Sequence, residues 1–265
     1  MRVAQIADGI ATRVLPLEGD ITYGPLLSRR LGRSLGLNLL PTGNKLCSFD
    51  CVYCHYGRTD VKTLMPKKGD FPAMRRVLKA VEVALRKYPD VPYLTFSGNG
   101  EPTLHPDFPA ITAAIRHLRD ELGHEVKLAI FSNGTTAHLP HIREALALFD
   151  TPILKLDAGD PEALERINRP APHVKLENIL DGLSDVPGCI IQSVLVDGEV
   201  SNIRGEIFEA WVAALATIKP TQVQIYSTDY PVPEEGVERV LPYVLKRIAG
   251  EVEKRTGLQV RAYWF

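Results

Sequence analysis

Three of the four cysteines in the chain lie within eight residues of one another, in a C-x3-C-x2-C spacing formed by Cys47, Cys51 and Cys54. A loop with this spacing lets three thiolates surround one iron–sulfur cluster. With three protein ligands, a cubane cluster keeps one iron that no thiolate binds, so an exogenous ligand can bind there and receive an electron. The spacing therefore predicts a cluster with an open coordination site.

Zinc is the alternative metal for the same loop. Structural zinc sites usually have four protein ligands, and His55 is poorly placed as a fourth ligand because it directly follows Cys54. The remaining cysteine, Cys189, stands at the head of an apolar stretch, where a small buried core residue is the expected role. The cysteine loop is therefore interpreted as an iron–sulfur site, with zinc as the less favoured alternative.

Two polar, glycine-containing turns follow apolar stretches at residues 97–102 and 132–135. Glycine lets a backbone approach a ligand closely, and a carboxylate at a strand end can hold an amino group. The alternative is that both are ordinary turns, for which asparagine and glycine are common residues. The candidate ligand-binding residues in the two turns are Gly98, Asn99, Gly100, Glu101, Ser132 and Asn133.

The composition is that of an ordinary globular protein of 265 residues, with 31 basic and 32 acidic side chains and a net charge of −1. This balance gives no electrostatic signature of a dedicated nucleic-acid binder. No apolar run approaches the roughly 18 residues of a membrane span, and the first residues lack the apolar region of a signal peptide. These observations predict a cytoplasmic protein without a membrane partner.

Apolar, β-rich stretches alternate with amphipathic helical patterns along the chain. The alternation predicts a parallel sheet with right-handed crossovers. We expect one domain over residues 1–265, with a core at about 34–228 and a C-terminal appendage at 237–265. Asp70 is the candidate N-cap of the first helix. The predicted strands are 34–40, 93–97, 126–132, 151–157, 189–196 and 222–227, and the predicted helices are 71–88, 109–122, 141–149, 161–167, 175–183, 203–218 and 237–255.

The order of elements fits either a doubly wound sheet or a barrel. A doubly wound sheet buries both faces, so its strands are almost uniformly apolar. Here several strands have one polar face, as where Lys155 and Asp157 alternate with leucines, which favours a partial (β/α)6 barrel with its site at the carboxyl ends of the strands. A lysine inside a barrel needs a carboxylate or a cofactor as partner, and Asp157 is the candidate carboxylate. The other candidates for the inner face are Tyr93, Thr95, Ser97, Ile153, Gln192, Gln224 and Tyr226.

The cysteine spacing, with Tyr53 directly before the last cysteine, resembles that of the radical S-adenosylmethionine (SAM) superfamily. In that superfamily the free iron of a [4Fe–4S] cluster binds the amino and carboxylate groups of SAM. The reduced cluster then cleaves SAM to a 5′-deoxyadenosyl radical, which abstracts a hydrogen atom from a substrate. The resemblance implies the same cluster on Cys47, Cys51 and Cys54, SAM as cofactor, and the open barrel of the superfamily.

The resemblance also implies which residues contact SAM. The turn at 97–102 resembles the GGE motif that binds the SAM amino group, with Asn99 in place of the second glycine and Glu101 as the carboxylate. Tyr53 would contact the adenine, and the turn at 132–135 would meet the ribose or the carboxylate. The full set of candidate SAM-binding residues is Tyr53, Gly98, Asn99, Gly100, Glu101, Ser132, Asn133, Asp157, Gln192 and Tyr226.

Longer stretches resemble the wyosine-base synthases, a branch of the superfamily that modifies tRNA. They are residues 28–38, 45–59, 155–158, 167–170 and 224–231. Two departures separate the chain from that branch: it has no further cysteines for a second cluster, and its net charge is not that of a tRNA-binding protein. The candidate substrate-binding or catalytic residues are Arg29, Arg30, Asn38, Lys155 and Arg169.

The expected function is therefore a radical SAM reaction on an unidentified small molecule, peptide or protein. Its partners would be SAM and a one-electron reductant such as flavodoxin or ferredoxin. Three alternatives stay open: a wyosine-type enzyme acting on tRNA, an activating enzyme that forms a glycyl radical on a partner protein, and an iron–sulfur scaffold or electron carrier without SAM chemistry.

Overall fold

A computed structural model describes residues 15–228 and 232–264 of the chain. The N-terminal residues used to predict the absence of a signal peptide and the end of the 224–231 stretch lie outside the described residues. No helix in the described part of the chain is long and apolar enough to cross a membrane.

The strands include the six that the sequence predicts, with bounds that agree to within a few residues. Shorter strands and two additional edge strands accompany them. The strands are β1 (Thr22–Ser28), β2 (Gly32–Leu37), β3 (Leu46–Cys47), β4 (Val61–Lys62), β5 (Tyr93–Phe96), β6 (Lys127–Ser132), β7 (Thr151–Lys155), β8 (Ile190–Val194), β9 (Val196–Gly198), β10 (Gln222–Tyr226), β11 (Val237–Arg239) and β12 (Val260–Tyr263).

The helices also follow the predicted order, and several begin with a proline, whose fixed φ suits the first helical turn. Short 3₁₀ turns cover Lys68–Asp70 and Pro102–Leu104. The helices are α1 (Met74–Lys87), α2 (Phe108–Glu121), α3 (Pro140–Leu146), α4 (Pro161–Ile167), α5 (Leu176–Asp185), α6 (Gly205–Ile218) and α7 (Pro242–Thr256).

The main sheet has eight strands in the order β1-β2-β5-β6-β7-β8-β10-β12. Every pair from β2 to β12 is parallel, and β1 pairs antiparallel with β2. The sheet curls into a half-barrel, so the predicted partial barrel is confirmed. Its six central parallel strands are the predicted ones, and β1 and β12 extend it at the two edges.

The alternation of side chains along the strands separates a helix-covered outside from a polar inside, as predicted. On β5, Leu94 and Phe96 belong to the main hydrophobic core, whereas Thr95 faces inward and shares a hydrogen bond of 2.6 Å with Ser34 of β2. On β8 and β10, Gln192 and Gln224 face each other at 3.4 Å between Nε2 and Oε1. A barrel whose inner face is polar in this way can hold a ligand.

The amino end of the barrel is closed by the turn between β1 and β2. Leu31, in this turn, packs against Ala129, Ile153 and partly buried neighbours on the inner face of the sheet. The lower lumen is therefore filled with apolar side chains, and the open part lies toward the carboxyl ends of the strands.

Three local expectations differ from the structure. Asp70 lies in the first 3₁₀ turn, and α1 instead has Ala73 as its N-cap without a side-chain cap. The predicted helix 237–255 begins only at Pro242, because residues 237–239 form β11 and pair with β9. Residues 258–265, expected in an appendage, contain β12, which lies beside β10 in the main sheet.

Gly159 supplies a test of the packing between the β7–α4 loop and α6. A Cβ atom at Gly159 would overlap the carbonyl group of Ala210 in α6. We expect Gly159→Ala to lower the free energy of unfolding by about 1–3 kcal/mol, the usual effect of overpacking against a backbone.

The matched control is Gly43→Ala, because an added Cβ at Gly43 meets nothing within 4 Å. Denaturant unfolding of both variants measures the difference. Equal stabilities of the two variants would contradict the close approach of the loop to α6.

Candidate functional site

The cysteine loop begins on β3 and lies at the carboxyl ends of the barrel strands. Leu46 of β3 donates its N–H to the Asn99 carbonyl at 3.0 Å, and the Cys47 carbonyl accepts from the N–H of Thr63, also at 3.0 Å. The three predicted ligands, Cys47, Cys51 and Cys54, all line one cavity of ≈480 Å³ inside the half-barrel. We call this space the central cavity.

The backbone of the loop is held by the segment that follows α4. The N–H of Asp50 donates to the Asn168 carbonyl at 2.9 Å, and the N–H of Val52 donates to the Ile167 carbonyl at 3.0 Å. In return, the Ser48 carbonyl accepts from the N–H of Ala171 at 2.8 Å. An irregular loop satisfies its buried backbone groups in this way, and the thiols between them are held in place.

Two buried amides donate hydrogen bonds to the cysteine sulfurs. Asn168 Nδ2 lies 3.3 Å from Cys51 Sγ, and Asn133 Nδ2 lies 3.6 Å from Cys47 Sγ. Such donors favour the thiolate and tune the reduction potential of a bound cluster. The site therefore includes the groups that usually surround cluster thiolates.

Burial disfavours the thiolate form of two of the cysteines. It raises the pKa of the Cys47 thiol, with a further rise from Glu101, and it raises the pKa of Cys51 to about 11, with a further rise from Asp157. Metal binding must therefore displace protons from these thiols, as it does generally at cysteine sites.

The cysteines fit a cluster better than a single ion. Among the described residues, no group of three His, Cys, Asp or Glu side chains converges on one point as the ligands of one ion would. The thiolates of a cubane each bind a different iron, so they surround the cluster rather than meet. Three thiols around one cavity, with amide donors on two sulfurs, are the donor set that such a cluster needs.

Glu101 is the second feature of the central cavity and is only 2% exposed. Its Oε1 accepts from the Thr103 N–H at 3.0 Å, the Thr103 hydroxyl at 2.7 Å and the Ser132 hydroxyl at 2.8 Å. Its Oε2 accepts from the Asn133 N–H at 2.6 Å. Since a carboxylate oxygen has two lone pairs, Oε2 keeps acceptor capacity for one more donor, such as an ammonium group.

Burial raises the pKa of Glu101, while the hydrogen bonds from Asn133, Thr103 and Ser132 lower it, and the net pKa lies above the ordinary value. A cationic ligand would offset this penalty of burying the carboxylate.

The turn before Glu101 requires its glycines. Gly98 and Gly100 have φ of +125° and +141°, which L side chains rarely adopt. A Cβ at Gly100 would also overlap the Leu46 carbonyl oxygen. Asn99, at the position of the usual second glycine, points its side chain away from the cavity and bonds the Glu18 and Pro41 carbonyls at 3.0 and 2.8 Å.

Lys155 and Asp157 form an ion pair at the end of β7, as their alternation predicts. Lys155 Nζ lies 3.0 Å from Asp157 Oδ1 and 5.0 Å from the centre of the Tyr53 ring. Tyr53 donates its hydroxyl to Asp157, and Asn168 Nδ2 donates to the same carboxylate at 2.9 Å. Burial lowers the pKa of Lys155, Asp157 raises it, and the net pKa lies above the ordinary value. The lysine therefore stays charged.

Most predicted site residues line the central cavity, and four do not. Asn38 is fully buried and braces the glycine turn, accepting the Asn99 N–H at 3.2 Å. Asn99 forms hydrogen bonds with the backbone of Glu18, and Asp157 forms an ion pair with Lys155. Arg169 forms an ion pair with Glu234 at 2.8 Å. The predicted residues that line the cavity are Cys47, Cys51, Cys54, Tyr53, Gly98, Gly100, Glu101, Ser132, Asn133, Gln192, Tyr226, Arg29, Arg30 and Lys155.

Three residues of the site were not predicted as site residues. Asn168 joins Cys51 to Asp157, Thr103 donates twice to Glu101, and Lys45 is buried beside the cysteine loop with Nζ 2.5 Å from the Gly57 carbonyl. Burial lowers the pKa of Lys45, the thiols of Cys54 and Cys47 raise it, and the net pKa lies above the ordinary value. The available signal was the resemblance for Lys45 and Asn168, which lie within the stretches 45–59 and 167–170, and position for Thr103, which directly follows the turn at 97–102.

Comparison with known proteins identifies the family. The model of the radical SAM superfamily matches residues 44–210. A UPF0026 protein of Methanocaldococcus jannaschii is 33% identical over 195 residues, or 71% of this chain and 58% of the relative. A UPF0026 protein of Synechocystis sp. is 34% identical over 213 residues, or 80% of this chain and 76% of the relative. The chain thus spans little more than half of the first relative.

Solved structures share the fold. SuiB of Streptococcus suis, bound to SAM, gives a TM-score of 0.58 at 18% identity and covers 86% of this chain and 50% of SuiB. A radical SAM methyltransferase from Sphaerobacter thermophilus gives a TM-score of 0.62 at 15% identity. The match covers 87% of this chain and 65% of the methyltransferase. A structure of TYW1 with a lysine-pyruvate adduct bound gives a TM-score of 0.59 at 16% identity. The match covers 84% of this chain and 74% of TYW1.

At these identities the solved structures show a shared fold only, and the sequence matches show the family. Both agree with the cysteine spacing and with the half-barrel. The chain belongs to the radical SAM superfamily of enzymes, whose members use a [4Fe–4S] cluster and SAM.

Proposed function

We propose that this protein binds a [4Fe–4S] cluster through Cys47, Cys51 and Cys54 and binds SAM beside it in the central cavity. One observation carries the proposal: the three thiols and the Glu101 carboxylate, from distant parts of the sequence, line the same cavity. The cluster and SAM, when bound, would supply a 5′-deoxyadenosyl radical for hydrogen abstraction from a substrate.

The residues around the cavity have separate roles in this proposal. Glu101 accepts the SAM ammonium with the free lone pair of Oε2, while Ser132 and Asn133 hold Glu101 in place and meet the ribose or carboxylate. Tyr53, fixed by Asp157, forms the wall on the adenine side. Gly98 and Gly100 allow close backbone approach, and Gln192 and Tyr226 complete the polar lining.

We propose that the substrate of this protein is a small molecule that enters the half-barrel. Arg29 and Arg30, which resemble residues of the wyosine-type branch, line the central cavity from the β1–β2 turn. Arginines that grip tRNA phosphates would instead lie on an open surface. Their position supports a small-molecule substrate over tRNA, although we still propose that the chain lies near the wyosine-type branch.

The electron comes from an external one-electron donor in this proposal, such as flavodoxin or ferredoxin. The chain has four cysteines, and the fourth, Cys189, is buried in the main hydrophobic core. The remaining thiols suffice for one cluster, so no second cluster relays the electron within this chain.

Removing one cysteine at a time tests the cluster assignment. We expect Cys47→Ala, Cys51→Ala and Cys54→Ala to lose most of the iron and the visible absorbance of the anaerobically reconstituted protein, because each change deletes a cluster ligand. Cys189→Ala is the control and should retain both. Full iron content in any of the three variants would show that the replaced cysteine does not bind the cluster.

Replacing Glu101 tests the SAM assignment. In Glu101→Gln the ammonium of SAM loses a charged acceptor, a change worth about 1.5–3 kcal/mol, so we expect SAM to bind roughly tenfold to a hundredfold more weakly. Equilibrium dialysis of the reconstituted protein measures the affinity.

Glu121→Gln, on the exposed end of α2, is the matched control with unchanged affinity. SAM binding by Glu101→Gln at wild-type strength, with the cluster intact, would show that Glu101 does not hold the amino group.

A further inference from the structure

We propose that the central cavity anchors its substrate by an oxyanion group, a carboxylate or a phosphate, on the guanidinium of Arg30. This inference rests on the proposed function, since it concerns the second ligand that reacts beside SAM. It assigns a chemical class to that ligand from the charges inside the barrel.

The β1–β2 turn fixes the direction of Arg30. The backbone N–H groups of Arg30 and Leu31 both donate to Ser28 Oγ, at 3.2 Å each. Leu31 is buried in the apolar lower lumen against Ala129 and Ile153. With its backbone pinned at the closed end, the side chain of Arg30 extends up the lumen toward the carboxyl ends of the strands.

Two aromatic rings hold the guanidinium in the lumen. Its central carbon lies 4.6 Å from the centre of the Tyr226 ring and 5.6 Å from the centre of the Phe131 ring. These contacts hold the positive charge beside two aromatic rings without using up its N–H donors. The N–H donors of a guanidinium match two oxygens of a carboxylate or phosphate.

Two donors of Arg30 have no hydrogen-bond partner in the described part of the chain. Nε and Nη1 are buried and make no hydrogen bond, and the described part of the chain places no carboxylate within ion-pair distance of the guanidinium. Arginine does not lose its proton in proteins, so the charge cannot be removed by titration. A buried, charged, unsatisfied group is costly, which indicates an anionic ligand that completes it.

Lys155 shows the contrast within the same lumen. Its ammonium lies 5.4 Å from the same Tyr226 ring but is neutralised by Asp157 at 3.0 Å. The two cations therefore differ: one has a built-in carboxylate, and the other has none. Among the described residues, no carboxylate offsets the positive charge of Arg30 as Asp157 offsets that of Lys155.

The SAM carboxylate does not fill this position in our scheme. In the superfamily, that carboxylate and the SAM amino group bind the same iron, and we assign the amino group to Glu101 at the far end of the glycine turn. The anion on Arg30 therefore belongs to the substrate.

The test uses the full chain with its cluster reconstituted and SAM bound. Acetate, inorganic phosphate and neutral acetamide are titrated at constant ionic strength set with chloride, and the melting temperature is followed anaerobically at one scan rate. A ligand that binds the native state raises the melting temperature with its concentration. We expect acetate or phosphate to do so and acetamide not to. The anion that raises the melting temperature more identifies the oxyanion group that Arg30 binds.

Three variants make the test specific. Arg30→Gln should weaken the anion response at least tenfold, and Arg30→Lys, which keeps the charge but loses the fork, should weaken it less. Arg33→Gln, an exposed arginine of the same hairpin, should respond like the wild type. Should Arg30→Gln fail to fold, the comparison rests on Arg30→Lys.

An anion response that is the same in wild type and in the Arg30 variants would overturn the anchor, and so would a wild type that responds to neither anion. Both results leave the cluster and SAM binding intact. Loss of cluster or SAM binding by the wild type would instead overturn the proposed function, so the two failures are distinguishable.

Discussion

The site depends on how an irregular loop is held rigid at the edge of a sheet. Residues between Cys47 and Cys54 form no helix or long strand, so their backbone groups need partners from elsewhere. The segment after α4 supplies them through Ile167, Asn168 and Ala171. Asn168 then donates from its side chain to Cys51. One short segment thus orders both the backbone and a thiol of the loop, and the three thiols face the cavity as a result.

The charges inside the barrel divide into satisfied and unsatisfied groups, and the division separates scaffold from ligand sites. Asp157 accepts from Tyr53, Asn168 and the Val194 N–H and neutralises Lys155, so the charges of this group are balanced. Glu101 keeps a free lone pair beside the thiols, and Arg30 keeps unpaired donors lower in the lumen. An anionic and a cationic position within one cavity suit two different ligands, SAM and a substrate.

The sequence predicted the features that repeat or cluster locally. Alternation along β5, β7, β8 and β10 was enough to place the polar residues inside, and the cysteine spacing was enough to name the cluster loop. Contacts between distant segments were not predictable in this way. Asn168 belongs to the 167–170 stretch, but nothing in that stretch indicates its contact with Cys51, which forms only in the folded chain. The edge strand β12 has only four residues, so its pairing with β10 depends on packing that no local pattern encodes.

The most direct test of the proposed chemistry is whether the protein cleaves SAM reductively. The reconstituted protein is reduced with dithionite under anaerobic conditions in the presence of SAM, and 5′-deoxyadenosine is quantified by mass spectrometry. We expect 5′-deoxyadenosine to accumulate in the wild type and not in Cys51→Ala. A wild-type protein that carries an intact, reduced cluster and bound SAM but forms no 5′-deoxyadenosine would contradict a radical SAM reaction at this site.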